Sequence, residues 1–422
     1  KYTIVAVNSL TIPSFFKNRY RDHKNIIKIV SASIIAVFFT VYTASAFSSG
    51  AKLFATLFSN SASGDENYNQ VYVIGLIVAA VVILVYTFMG GFKAVCTTDL
   101  IQGLMMIVAI LSVPVLAYAI LTFDTSFSSA LAAKGVEQPA QFLNFFVNGD
   151  GTPVSAVSII SNLAWGLGYF GMPHILVRFM AVKSNEEIKK SRKIAVVWVI
   201  ISLTASCLIG LIARGYLTAQ LDDATSESVF IRTIQQIFSG NGVLIFIGGI
   251  FLCGILAAIM STADSQLLVT ASAVSEDLYK GAVKKNASEK SSLLVGKIAV
   301  AVVAVIAFFI ALNPKSSIMG LVSDAWAGFG SAFGPVVLLA LFWKRSTLSG
   351  AISGMATGAL TVIIWDYIPL VNGQTLYAAT NLYSLVVGFG LALIVNVIVS
   401  LLSKKPSKEI IDEFDSIKNI EV

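Results

Sequence analysis

The run Phe251–Leu268, FLCGILAAIMSTADSQLL, concentrates hydroxyl and carboxylate oxygens in an otherwise apolar stretch. Folded as a helix, it places Ala258, Ser261 and Thr262 at i, i+3 and i+4, on one face. Two hydroxyls plus a backbone carbonyl freed by a local distortion form a hard-oxygen set suited to Na⁺. Small and hydroxylated residues also let membrane helices pack closely, and Ser and Thr can bond their own i−4 carbonyls. From this run alone both readings stand. One turn further on, Ser261, Asp264 and Ser265 repeat the same spacing.

The elements that must position these residues are membrane helices. Of 422 residues, 56% are hydrophobic and 12% charged, with mean hydropathy +0.82. A soluble domain carries about 25% charged residues, so the chain is a polytopic membrane protein whose partner is the lipid bilayer. A transmembrane helix needs about 20 mainly apolar residues. Ten stretches qualify: 27–56, 70–90, 98–121, 154–177, 194–218, 242–268, 292–312, 317–343, 348–368 and 379–402. Ten crossings put Lys52, Lys134, Arg214, Arg232 and Lys315 on one side and the remainder of the 29 basic residues on the other. By the positive-inside rule that basic side, with both ends of the chain, is cytoplasmic. The net charge of +6 is therefore a topology signal and implies no nucleic-acid partner.

Residues 1–25 hold Lys17, Arg19, Arg21 and Lys24, and Phe15, Phe16 and Tyr20 suit a helix at the membrane interface. The outer segment 122–153 shows little pattern. In 219–241, Phe230, Ile231, Ile234, Ile237 and Phe238 predict a short amphipathic helix over the outer mouth, either packed on the bundle or acting as a lid. The tail 403–422 mixes Lys, Glu and Asp and reads as exposed. Three segments read as broken by glycine or proline: at Gly90 and Gly91; at Gly166, Gly168, Gly171 and Pro173 around Trp165 and Tyr169; and at Gly328, Gly330, Gly334 and Pro335. Breaks within a bilayer are tolerated where neighbours or a cavity satisfy the backbone, so they suggest a polar cavity near the midplane. Cys96, Cys207 and Cys253 read as small core residues. His23 and His174 are too few for a metal centre, and no nucleophile–base pair marks an enzyme. His174 and Arg178, one turn apart, read as structural, with Arg178 satisfying carbonyls or lipid phosphates.

The stretches FFTVYTASAFSSGAKLF, YTFMGGFKAVCTTD, WGLGYFGMPHILVRFMA, ILAAIMSTADSQLL, SEDLYK, LVSDAWAGFGSAFGPVVL and KRSTLSGAISGMATGAL span about residues 28–365. In that order they resemble the sodium/solute symporter family, and within it the sodium/proline symporters. The resemblance implies an all-α fold of the leucine-transporter type, built from two inverted five-helix repeats. It aligns the first span with core helix 3 and the sixth with core helix 8, leaving core helices 1 and 2 without a counterpart and an expectation that residues 1–422 do not transport alone. The implied division is a segment 1–25, a core 26–343 equivalent to core helices 3 to 10, two peripheral helices in 344–402 and a tail 403–422.

By position, the resemblance makes Ala258, Ser261 and Thr262 sodium ligands and Tyr42, Trp165, Tyr169 and Pro173 the proline-site region. Trp165 and Tyr169 would pack the substrate ring and face its ammonium. It makes Glu227 a candidate outer gate. Because core helices 5 and 8 lie near each other in that fold, Asp99, Asp264 and Ser265 form a candidate second cation site. The competing reading has each acid cap a helix or pair with a loop lysine such as Lys93. The implied activity is Na⁺-coupled uptake of L-proline across the cytoplasmic membrane, with Na⁺ as coupling ion, no other cofactor and no catalysis. The alternatives are symport of another small organic solute, or a transporter-like sensor, for which the tail offers no signalling domain.

Overall fold

The computed structural model describes residues 9, 11–59, 65–89, 92–148, 151–182, 184–223, 225–284 and 286–418. In chain order the helices are α1 (Ile12–Arg19), α2 (Ile26–Phe58), α3 (Glu66–Met89), α4 (Phe92–Asp124), α5 (Phe127–Ala133), α6 (Ala156–Gly168), α7 (Pro173–Met180) and α8 (Asn185–Tyr216). A 3₁₀ turn, Ser226–Ser228, leads into α9 (Val229–Ile237). Then come α10 (Gly242–Ser272), which continues as a π-helical run Ala273–Val283, α11 (Glu289–Ala311), α12 (Ile318–Phe342) and α13 (Leu348–Tyr367). After α13, strands β1 (Pro369–Val371) and β2 (Gln374–Thr375) form a hairpin, followed by α14 (Leu376–Thr380), α15 (Ser384–Leu402) and α16 (Lys408–Lys418). The hairpin turns on Asn372 and Gly373, both at positive φ, as a two-residue type I′ turn requires.

Most helix starts are set by local chemistry. Asn241, Ser288, Ser317 and Thr347 each accept a hydrogen bond from a backbone N–H in the first turn of α10, α11, α12 and α13. Such caps satisfy donors that the helix itself leaves open.

Among the described residues, nine helices are long and apolar enough to cross a bilayer: α2, α3, α4, α8, α10, α11, α12, α13 and α15. The tenth expected span, 154–177, is two short helices, α6 and α7, separated by residues 169–172. Pro173 stands at the first position of α7, where its missing N–H and fixed φ favour a helix start. A Cβ on Gly171 would lie 2.2 Å from the Phe329 carbonyl oxygen, so the break lets the chain pass tightly against α12.

The break expected at Gly328, Gly330, Gly334 and Pro335 does not occur, because α12 runs through all four. Added Cβ atoms at Gly328 and Gly330 would meet the Phe38 ring at 2.2 Å and the Gly168 Cα at 2.9 Å. These glycines bring helices together, as small residues do in membranes. Gly90 and Gly91 lie outside the described residues.

α12 is the axis of the larger core, where Phe329, Phe333, Phe39 and Phe16 are fully enclosed. Phe15, Phe16 and Tyr20 of α1 are buried there too, with Phe16 and Phe333 centroids 6.0 Å apart. What reads in sequence as an interfacial anchor is a core contact. The tail is also less free than expected. α16 lies against α1, with Arg21 bonded to Glu413 at 2.8 Å and the Arg19 guanidinium over the Phe414 ring. The described residues between α4 and α6 hold α5 and an isolated bridge between Val147 and Pro153. Cys96, Cys207 and Cys253 are exposed, not core residues. They share the outer surface with apolar side chains such as Ile74, Val81 and Ile200, as lipid contact requires.

The π run is pinned by Asp277, whose side chain is fully buried. Its Oδ1 accepts from Thr11 Oγ1 and Ser14 Oγ at 3.0 Å each and pairs with Lys28 Nζ at 3.0 Å. The wide backbone turn, a rare geometry often found at functional sites, thus ties α10 to α1 and to the start of α2.

Candidate functional site

α10 stands between α2, α4 and α11 and carries the hydroxyl set. Thr262 Oγ1 donates to the Ala258 carbonyl at 2.8 Å and Ser261 Oγ donates to the same carbonyl at 3.2 Å. All three residues are half-buried, so the face is neither sealed in the core nor open to bulk water. The carbonyl is not freed by a distortion, since α10 is a continuous α-helix here and its π run begins only at Ala273. The two hydroxyl protons occupy the Ala258 carbonyl, which leaves the lone pairs of Ser261 and Thr262 directed away from it.

One turn on, Asp99 of α4 lies beside Asp264 and Ser265 of α10, with Ser265 Oγ 3.5 Å from Asp99 Oδ2. Their cation is a residue of this chain. Arg178 of α7 pairs with Asp99 Oδ2 and donates to Ser265 Oγ at 2.7 Å. Ser265 Oγ also lies 3.4 Å from Asp264 Oδ1 and bonds the Ser261 carbonyl at 2.9 Å, linking the charged cluster to the hydroxyl set. Asp264 is fully buried and its Oδ2 has no partner. Asp99 does not cap a helix, because it lies inside α4. Arg178 is accordingly a member of the acidic cluster. Asp99 and Arg178 are 79 residues apart, so only the paired charge requirement of Asp99 and Asp264 could have pointed to it.

The residues expected around the substrate divide into two groups. Trp165 and Tyr169, from α6 and the break after it, surround Trp326 of α12, with centroids 5.9 and 5.1 Å from it. Trp326 Nε1 donates to the Trp165 carbonyl at 2.9 Å, and Tyr383 stacks on Trp165 at 5.5 Å. A Cβ at Gly168 would lie 1.8 Å from Trp326 Nε1, so glycine there is what admits the indole. Tyr42 of α2 packs on Phe39 and meets His174 edge-on at 6.2 Å. Pro173 lines a separate cavity of about 340 Å³ with Ile35, Val177, Met180 and Leu268. Trp326 and Tyr383 were missed in the sequence, although Trp326 stands in the DAWAGFG motif.

At the other end of the bundle, the amphipathic helix forms as α9, burying Ile231 and Ile234. Just before it, Glu227 Oε2 accepts from Lys52 Nζ of α2 at 2.6 Å, and Oε1 accepts from Ser317 Oγ at 2.9 Å and Met319 N at 3.2 Å. Partial burial pushes this carboxyl up, but the bonds from Lys52, Met319 and Ser317 outweigh it and hold its pKa below the ordinary value. Among the described residues there is no group of His, Cys, Asp or Glu that could hold a metal ion as a resident centre.

Comparison with known proteins agrees with this architecture. Residues 1–358 match the family described as SSF: Sodium:solute symporter family. The chain is 41% identical to Sodium/proline symporter 2 of Staphylococcus saprophyticus subsp. saprophyticus over 427 residues, covering 99% of this chain and 78% of that protein. It is 40% identical to the Sodium/proline symporter of Staphylococcus aureus, with the same coverage. A solved Na⁺-coupled sialic acid symporter in a substrate-bound outward-open state superposes with TM-score 0.66 at 18% identity, covering 94% of this chain and 78% of that one. The shared fold is of the leucine-transporter type. With a family match over most of its length and relatives near 40% identity, this multi-pass membrane protein belongs to the sodium:solute symporter family.

Proposed function

We propose that this chain is the larger part of a protein that carries out Na⁺-coupled uptake of L-proline across the cytoplasmic membrane by alternating access, with the basic side of the bundle inside. The observation that carries this reading is about 40% identity, over nearly the whole chain, to proteins named sodium/proline symporters. In this reading residues 26–343 form the transport unit and 344–402 a peripheral helix pair.

The Na⁺ ligands are Ser261 and Thr262, with the Ala258 carbonyl available once their hydroxyls rotate off it. Trp165 and Tyr169, supported by Trp326 and Tyr383, form the aromatic wall for the proline ring and its ammonium. Tyr42 and Pro173 border that region toward the basic side. Asp99, Asp264 and Ser265 hold a cation in transit, and Arg178 occupies the same oxygens between passages. A guanidinium already in place spares the two carboxylates mutual repulsion while Na⁺ is absent. Glu227 with Lys52 is the outer gate.

The driving force is sufficient. A potential of about 100 mV supplies roughly 2.3 kcal/mol per charge, and a tenfold Na⁺ ratio adds about 1.4 kcal/mol. With one Na⁺ per substrate the sum sustains a proline ratio on the order of 500. Uptake of labelled solute into vesicles tests the assignment. Excess unlabelled L-proline should abolish Na⁺-dependent uptake, and the reading fails if proline leaves uptake unchanged while another solute blocks it.

A further inference from the structure

A cavity of about 510 Å³ lies between the end of α3, the junction of α10 with its π run, and the first half of α11. None of its walls belongs to the hydroxyl set, the Asp99–Arg178 cluster or the aromatic wall. Its chemistry is divided. Leu268, Leu293 and Val300 are apolar, and Leu293 is 67% exposed on the outer surface, where acyl chains run. The other part is charged. Glu276 and Lys280 neutralise each other, with Lys280 Nζ bonded to both carboxylate oxygens at 2.8 and 2.9 Å. That leaves one anion, Glu289, and one cation, Lys297, which form no ion pair among the described residues.

Glu289, Ser292, Gly296 and Lys297 follow helical spacing along one face of α11. Gly296 places no side chain between the other three. Ser292 is 3% exposed and lines the cavity, yet its hydroxyl has no partner. A buried hydroxyl left unpaired is destabilising, so its position calls for a ligand oxygen. The cavity is lined by the first turns of α11, which begins with Glu289 and Lys290, a stretch of the sequence that also carries Lys284 and reads as basic. Lys297 stands two turns inside α11 on an aliphatic stem long enough to carry its ammonium to the headgroup layer.

One positive and one negative position match a zwitterion and not a purely anionic headgroup. We propose that this cavity binds an aminophospholipid. Lys297 and Ser292 hold its phosphate, Glu289 accepts from its primary ammonium, and the acyl chains lie on Leu293 and Val300. A trimethylammonium headgroup cannot donate to Glu289, and a glycerol headgroup leaves that carboxylate without a cation. The site does not depend on which solute is transported.

Native mass spectrometry of the full-length protein, incubated separately with phosphatidylethanolamine, phosphatidylcholine or phosphatidylglycerol, tests it. One phosphatidylethanolamine per protein should be retained, roughly fivefold above the other two. The double variant Glu289→Gln/Lys297→Gln should lose that preference, while Lys404→Gln keeps it. Both charged residues are exposed, so the double variant should fold, as gel filtration will check. Ser292→Leu, which fills the cavity with the charges intact, should also evict the lipid. Equal retention of the three lipids, no retention, preference for phosphatidylglycerol, or a double variant that keeps its phosphatidylethanolamine would each overturn the proposal.

Discussion

The two ends of α2 carry the same pair of groups in different settings. Near its start, Lys28 meets Asp277; near its end, Lys52 meets Glu227. Asp277 has no exposed side-chain surface, whereas Glu227 retains 20%. Asp277 gathers all its donors on Oδ1 and leaves Oδ2 without a partner, but Glu227 has donors on both oxygens. The Asp277 tie is therefore a buried charge held by one lysine and two hydroxyls, and water cannot replace any of them that is lost. The Glu227 tie is satisfied on both oxygens and reached by water, so breaking it costs less. The same ammonium–carboxylate pairing is a sealed joint at one end and a water-reached clasp at the other, and burial makes the difference.

The largest effect should come from the Asp277 joint. Asp277→Ala leaves the Lys28 charge uncompensated and should destabilise the protein by about 3–5 kcal/mol. The thermal midpoint in detergent would show it, and Asp277→Leu combined with Lys28→Met should recover most of the loss. An unchanged midpoint for Asp277→Ala would remove the distinction between joint and clasp.

Between the two ends, Thr262→Val deletes a hydroxyl proposed above as a Na⁺ ligand, with little change of volume. Apparent Na⁺ affinity should fall about tenfold, or roughly 1.4 kcal/mol, while maximal proline binding at saturating Na⁺ falls less. An unaltered Na⁺ titration would count decisively against the hydroxyl set.

At the Glu227 clasp, Glu227→Gln keeps an acceptor for Ser317 and Met319 but loses the charge facing Lys52. A cost of about 1 kcal/mol is expected. Because the folded carboxyl has a depressed pKa, its stabilisation is complete above the ordinary value of 4.5 and is lost as the pH falls through the depressed one. A thermal-midpoint series across that acid range, wild type against Glu227→Gln, should converge at the low end. Parallel curves would show that the charge at Glu227 does not matter.

The smallest effect should be that of Asp264→Asn, nearly isosteric and uncharged beside the Arg178 guanidinium. Turnover should slow about threefold, or roughly 0.7 kcal/mol in the barrier, with proline binding retained. A reduced folded yield with normal turnover per folded molecule would make Asp264 structural.

What the sequence by itself determined is what the bilayer and the helix period dictate. Apolar stretches of the right length have few solutions in lipid other than a helix, so the spans were legible apart from the split at 169–172. Ala258, Ser261 and Thr262 share a face because 3.6 residues make a turn, and α9 was visible in the spacing of Phe230, Ile231 and Ile234. The tertiary structure alone decided which chains of chemistry meet. Arg178 reached Asp99 and Ser265, and Thr11, Ser14 and Lys28 closed on Asp277, through contacts between residues far apart in sequence, for which periodicity carries no signal. It also decided direction. Gly328, Gly330 and Gly334 have the composition of a broken helix, yet they lie in a continuous one, because a missing Cβ serves close approach as well as it serves a bend. Phe15 and Phe16 turned inward and Cys96, Cys207 and Cys253 outward for a related reason. In a membrane both the core and the lipid are apolar, so hydropathy alone does not say which of them a side chain faces.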